Sequence, residues 1–154
     1  MQAVAEQLAT LAAESELTVA VAESLTGGNL CAALGAASSS GDWFRGGIVA
    51  YSRTVKHDLL KVPPGPVVCE PAAVAMADGV RALLDATLAI AVTGAGGPDS
   101  QDGEPPGSVW FAMSTPNDTI AEHRHFDGEP GKVLDQTIAH ALDLLLTAVK
   151  ARAA

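Results

Sequence analysis

Apolar residues recur at two spacings along this chain, and the two alternate. Residues 2–15 carry Val4, Leu8, Leu11 and Ala12 at helical intervals, which predicts an opening amphipathic helix. Residues 18–22, Thr-Val-Ala-Val-Ala, are a short apolar run suited to a buried strand. Glu23-Ser24-Leu25-Thr26-Gly27-Gly28 follows directly, and the small apolar stretch 29–37 reads as a helix packed on a sheet. Residues 38–42, Ser-Ser-Ser-Gly-Asp, read as a loop, and 43–51 as a second strand with a glycine pair inside it, which permits a close backbone approach or a bulge. Ser52 is placed to cap a short helix carrying Lys56, Leu59 and Leu60, which Pro63, Pro64 and Pro66 terminate. A further helix starts at Glu70-Pro71, with Val74, Ala77, Val80 and Leu84 on one face.

Residues 87–93, Thr-Leu-Ala-Ile-Ala-Val-Thr, give the clearest buried strand. A loop rich in Gly, Pro and Asp occupies 94–107. Residues 108–114 and 119–126 then form a hairpin about Thr115-Pro116-Asn117-Asp118, and a last helix from about residue 131 presents Leu134, Ile138, Ala141, Leu145 and Val149. Alternating helices and strands with a late hairpin predict an α/β fold: a three-layer α/β/α sandwich around a mixed sheet. The 154 residues suit one domain spanning 1–154, and a hydrophobic content of 48% supplies a core.

Charge narrows the partners. A net charge of −9 disfavours a broad nucleic-acid surface, while a small anionic ligand stays compatible if cations are focused locally. Four of the nine basic residues, Arg45, Arg53, Lys56 and Lys61, fall in one stretch. No apolar run reaches the ~20 residues of a membrane span, and Glu6, Glu14 and Glu16 interrupt the pattern a signal peptide needs, so the expectation is a cytoplasmic protein without a membrane partner. Cys31 and Cys69 lack the spacing of a metal site or disulfide framework and read as small buried residues.

Three segments carry candidate chemistry. Ser24 lies where a buried strand turns into a helix, so successive N–H groups converge on it; they suit an oxyanion or a phosphate, and equally an ordinary helix cap. In Tyr51-Ser52-Arg53-Thr54-Val55-Lys56 the lysine is either a solvated helix residue or, if buried, a neutral amine able to take a serine proton. Tyr51 suits a relay of that proton or a hydrogen bond to a leaving amide. His57, His123, His125 and His140 offer no supported Ser–His–Asp arrangement, since no GxSxG elbow is present. Thr93-Gly94-Ala95-Gly96-Gly97-Pro98 after the buried strand allows close approach of a ligand to the backbone, but it is neither a Walker loop nor a GxGxxG fingerprint. His123 and His125 share a strand face, with no third metal ligand at convincing spacing.

Taken together, Ala22 to Gly28, Ser38 to Gly41, Ala50 to Lys56, Thr93 to Pro98 and Glu104 to Val109 resemble, in order and separation, the motifs of the CinA C-terminal family, also called nicotinamide-nucleotide amidases. The resemblance covers nearly the whole chain. It implies hydrolysis of the carboxamide of nicotinamide mononucleotide to the acid and ammonia, with no metal or organic cofactor and a small-molecule nucleotide as partner, and it carries an expectation of self-association. It makes Ser24, Tyr51 and Lys56 catalytic candidates, with Lys56 as base and Ser40 as a competing nucleophile. Thr26, Gly27, Gly28, Thr93, Gly94, Ala95 and Gly96 are the expected substrate-binding residues. The chain departs from the pattern at Gly41, where the family has a serine, and near Phe126-Asp127-Gly128, where the family's arginines are replaced, with Lys132 as the available cation. A nucleotide-binding or regulatory module without turnover is therefore the alternative, and an esterase or acyl transferase using the same serine a third.

Overall fold

Residues 1–153 are described by a computed structural model. The helices are α1 (Gln2–Ser15), α2 (Asn29–Gly35), α3 (Ser40–Trp43), α4 (Arg53–Asp58), α5 (Glu70–Leu83) and α6 (Pro130–Ala153). The strands are β1 (Val19–Glu23), β2 (Phe44–Val49), β3 (Leu88–Gly94), β4 (Ser108–Ser114) and β5 (Thr119–His125). They form one mixed sheet in the order β2-β1-β3-β4-β5, parallel across β2, β1 and β3 and antiparallel from β3 to β5.

The central strands are buried on both faces, and they separate the two faces by side-chain size. Val19, Val21, Leu88, Ile90 and Val92 face the layer of α1, α2 and α6. Ala20, Ala22, Ala89 and Ala91 face α5. The period of two survives as an alternation of bulky with small, because neither face meets water. Alanines on the α5 side let that helix lie close to the sheet, where Ala73, Met76, Ala77 and Val80 fill the interface.

The glycine pair of β2 answers both expectations placed on it. Val19 pairs with Phe44 but Ala20 with Gly46, so Arg45 is the extra residue of a bulge, and Gly46 takes φ 124°. Gly47 is in close approach: an added Cβ would lie 2.8 Å from Val21 O and closer still to Cys31 Sγ. Gly47→Ala should therefore cost about 2 kcal/mol by overpacking, read as a lower urea midpoint at unchanged slope.

Two features differ from the expectation. Residues 40–43, placed in a loop and a strand start, form α3, whose Trp43 is buried with its indole N–H on Ser38 O at 3.2 Å; burying that ring draws the serine-rich stretch into a helical turn. The cysteines are half-buried rather than buried: Cys31 lies in the first turn of α2 and Cys69 stands at the N-cap of α5.

The parallel strands end together. Glu23 pairs with Val49, and Gly94 ends β3 beyond the last β1 pair, so the turn 24–28, the segment 50–56 and the loop 95–107 converge at one end of the sheet. Open α/β sheets place their ligands at this end.

Candidate active site

The β1–α2 turn is built around a carboxylate. Glu23 is fully buried. Its Oε1 accepts from Thr26 Oγ1 at 2.6 Å, Gly28 N at 2.9 Å and Leu30 N at 3.2 Å, and its Oε2 from Cys31 N at 2.8 Å. One side chain thus satisfies the free amides that open α2 and complements its dipole. Burial pushes the carboxyl up, but hydrogen bonds from Cys31, Thr26 and Leu30 outweigh it and hold Glu23 below the ordinary glutamate value. In return, Glu23 raises the Cys31 thiol well above its usual range, after burial itself.

The next residue is Ser24, whose Oγ lies 2.8 Å from Lys56 Nζ. Lys56 is only 1% exposed. Ser52 accepts from Val55 N and caps α4, and Val62 N donates to Lys56 O, so the helix is fixed at both ends with its lysine turned inward. Burial, followed by the Arg53 guanidinium, lowers the amine to about 8, against a raising effect from Asp102. At that value about a tenth of the amine is neutral at pH 7, which is enough to work as a base.

A cleft of about 520 Å³ opens on Ser24, with Lys56 buried behind the serine. Ser24, Leu25 and Tyr51 line one side, and Gly94 to Gln101 with Pro130 and Leu134 the other. Tyr51 stands at the mouth, 70% exposed. Of the residues expected to bind substrate, Gly94, Ala95 and Gly96 line the cleft; Thr26, Gly27, Gly28 and Thr93 do not. Thr26 and Gly28 spend their donors on Glu23, Gly27 N donates to Ser24 O at 2.9 Å, and Thr93 Oγ1 donates to Val67 O at 2.6 Å. These four frame the site from behind.

Ser40 is not brought to the lysine. Val19 pairs with Phe44 and Glu23 with Val49, so α3 precedes β2 at the opposite end of the sheet from Ser24. The Ser40 hydroxyl donates to Gly35 O at 2.8 Å. Gly41 lies in the same helix, so this departure from the family pattern sits away from the lysine as well. Lys132 is exposed between Pro130 and Leu134, at a helical spacing that turns it off the cleft-lining face. His123 Nε2 meets Ser108 Oγ at 2.7 Å and His125 Nε2 meets Pro106 O at 3.1 Å, so the two are committed to separate partners.

Sequence reasoning did not single out Glu23 or Asp102, nor Ser100, Gln101, Pro130 and Leu134 as cleft residues. Glu23 left a signal, an acid closing an otherwise apolar strand with no cation beside it. Asp102 left none.

A three-layer α/β domain with a lysine buried against a serine at the end of its parallel strands defines the class. The chain matches the model of the CinA C-terminal domain over residues 1–149, and it belongs to that family. It is 40% identical over 136 residues to a CinA-like protein of Synechococcus sp. and 36% identical over 140 residues to one of Frankia casuarinae, covering 83% and 88% of this chain. It spans about a third of the length of these curated relatives, 33% and 32%. Crystal structures of a CinA superfamily protein from Escherichia coli (33% identity, TM-score 0.90, 94% of this chain and 88% of that one) and of the competence damage-inducible protein A from Klebsiella pneumoniae (32%, 0.91, 95% and 94%) share the fold.

Proposed function

We propose that this protein is an amidohydrolase that removes ammonia from the carboxamide of nicotinamide mononucleotide by a serine–lysine mechanism. One observation carries the reading: the buried Lys56 amine is in hydrogen-bond contact with Ser24, which lines the cleft. Neutral Lys56 takes the hydroxyl proton as Ser24 Oγ bonds to the carboxamide carbon. With the Gly27 and Gly28 amides engaged by Ser24 O and Glu23, the amides of Leu25 and Thr26 are the ones left to face the oxygen on which negative charge develops. The C–N bond then breaks, the lysine returns its proton to the departing nitrogen, and water, deprotonated by the same amine, hydrolyses the ester to release the acid. Tyr51 stands at the mouth, where a heteroaromatic ring would enter.

The test is ammonia release from nicotinamide mononucleotide. Ser24→Ala is expected to lose at least a hundredfold in kcat while still binding the nucleotide by calorimetry, and Ser40→Ala to keep the wild-type rate. A wild-type protein that binds the nucleotide but releases no ammonia would instead identify a binding module. The cleft lining favours a second reading of the substrate. Its one charged side chain is Asp99, which suits a carboxamide without a phosphate. Comparing kcat/KM for nicotinamide mononucleotide and its dephosphorylated nucleoside decides between them.

A further inference from the structure

The loop 95–107 carries three carboxylates, Asp99, Asp102 and Glu104. Asp102 Oδ2 accepts from Val67 N at 2.8 Å and Val68 N at 3.1 Å, and Oδ1 pairs with Arg53 Nη2. The Asp102 side chain is 9% exposed, that of Arg53 49%. Val67 is gripped twice, because its carbonyl also accepts from Thr93 Oγ1 at the end of β3. Arg53 begins α4, one turn before Lys56, and also donates to Gly65 O. Asp102 therefore ties together the loop that lines the cleft, the segment at 67–68 and the helix that carries the amine. Its backbone takes φ 54°, a left-handed conformation that an aspartate tolerates better than most residues.

We propose that Asp102 is a positioning residue for the Lys56 amine, holding α4 and the cleft loop in register and, with Arg53, setting the electrostatic field at the proton-accepting nitrogen. The inference rests on the serine–lysine reading. The two members of the pair act on the amine with opposite sign: Arg53 disfavours its proton and Asp102 favours it. Among the described residues, Arg53 and Asp102 are the charges that act on it. The β1–α2 turn presents the neutral Ser24 hydroxyl, while Glu23 spends its oxygens on α2. His57 and Lys61 turn to Val62 O and Asp58 O. Asp102 is itself held below the ordinary aspartate value, because Arg53 and the Val67 and Val68 amides outweigh its burial, so it stays ionised across the working range.

The signature is a divergence. Asp102→Asn leaves Arg53 unopposed, so the midpoint of the pH–rate profile falls and the pH 7 rate, taken relative to the variant's own high-pH plateau, rises about twofold or more. Arg53→Gln leaves Asp102 unopposed, the midpoint rises, and the same ratio falls by a similar factor. A merely structural loosening would admit water to the amine and move both midpoints upward. The experiment measures ammonia release from nicotinamide mononucleotide between pH 6 and 10 for wild type, D102N, R53Q and K56M, with the Lys56 ε-methylene titrated by NMR. Opposite shifts support the proposal; shifts in one direction, or none, overturn it. R53Q alters a half-exposed residue, so an unchanged or lowered midpoint in that variant is decisive even if D102N does not fold. Failure of the underlying reading looks different: K56M would then keep its activity.

Discussion

Lys56→Met should abolish turnover and make the protein harder to melt at pH 7. Removing a general base costs between a hundred- and ten-thousandfold, so ammonia release should fall by at least two orders of magnitude. The stability gain follows from the lowered amine. Unfolded, the lysine holds its proton to about 10.5; folded, to about 8. Below pH 8 both states carry the charge and the folded state bears the full burden of burying it, about 3 kcal/mol. Between 8 and 10.5 the folded protein sheds the proton while the unfolded chain keeps it, so wild-type stability rises with pH across that window. Methionine fills a similar volume without charge, but it leaves the Ser24 hydroxyl without its partner, a loss of about 1 kcal/mol. The net expectation is a gain of about 2 kcal/mol at pH 7, roughly 5 °C in Tm, that shrinks toward zero by pH 10. Thermal scans at the two pH values check it, and a variant that melts lower at both would show that the ammonium is no burden in its cleft. The wild-type rate should climb from pH 6 to 9 with a midpoint near 8.

Glu23→Ala should be the most destabilising single change in the chain. It would leave the amides of Gly28, Leu30 and Cys31 and the Thr26 hydroxyl without their acceptor in a largely closed space. At about 1–3 kcal/mol for each buried group left unmade, even partial relaxation leaves a cost above about 4 kcal/mol. Glu23→Gln keeps the shape but brings an amide N–H₂ against the Cys31 N–H and removes the charge at the α2 N-terminus, an expected loss of about 2–3 kcal/mol. Urea titrations of both variants check the ranking. The lowered carboxyl also fixes a direction with pH: its contribution is complete above the ordinary glutamate value of 4.5 and is lost as pH falls through the folded value. Glu23→Gln should accordingly flatten the acid limb of the stability profile. Wild-type stability that is flat through this limb would remove Glu23 from that role.

Most of the architecture was legible in the sequence because the central strands announce themselves. The runs 18–22 and 87–93 contain no charge, so they had to be covered on both faces, and the helical spacings at 2–15, 70–84 and 131–149 supplied the covering layers. Ser24 and Lys56 were legible as a combination of local motifs, but their contact joins residues 32 positions apart, and no local pattern encodes it. Ser40 misled for the complementary reason: its motif position is local, whereas its distance from the lysine depends on the register of β1 against β2. The glycines 27 and 28 were read as ligand-facing because glycine signals close approach without saying to what; here the approach is to Glu23 and Ser24. Asp102 was invisible because an aspartate in a Gly- and Pro-rich loop looks like any solvated turn residue until the chain folds 67–68 beneath it.

The cleft has two walls of different construction. Ser24 and Lys56 sit on elements locked by strand pairing, a buried carboxylate and a helix cap, whereas the facing wall from Gly94 to Gln101 is loop for most of its length. The Ser24–Lys56 pair and most of the facing wall thus lie on different stretches of polypeptide, joined through Asp102. Under the proposed serine–lysine reading, substitutions among residues 98–101 would alter which substrate the cleft admits while leaving the Ser24–Lys56 contact in place.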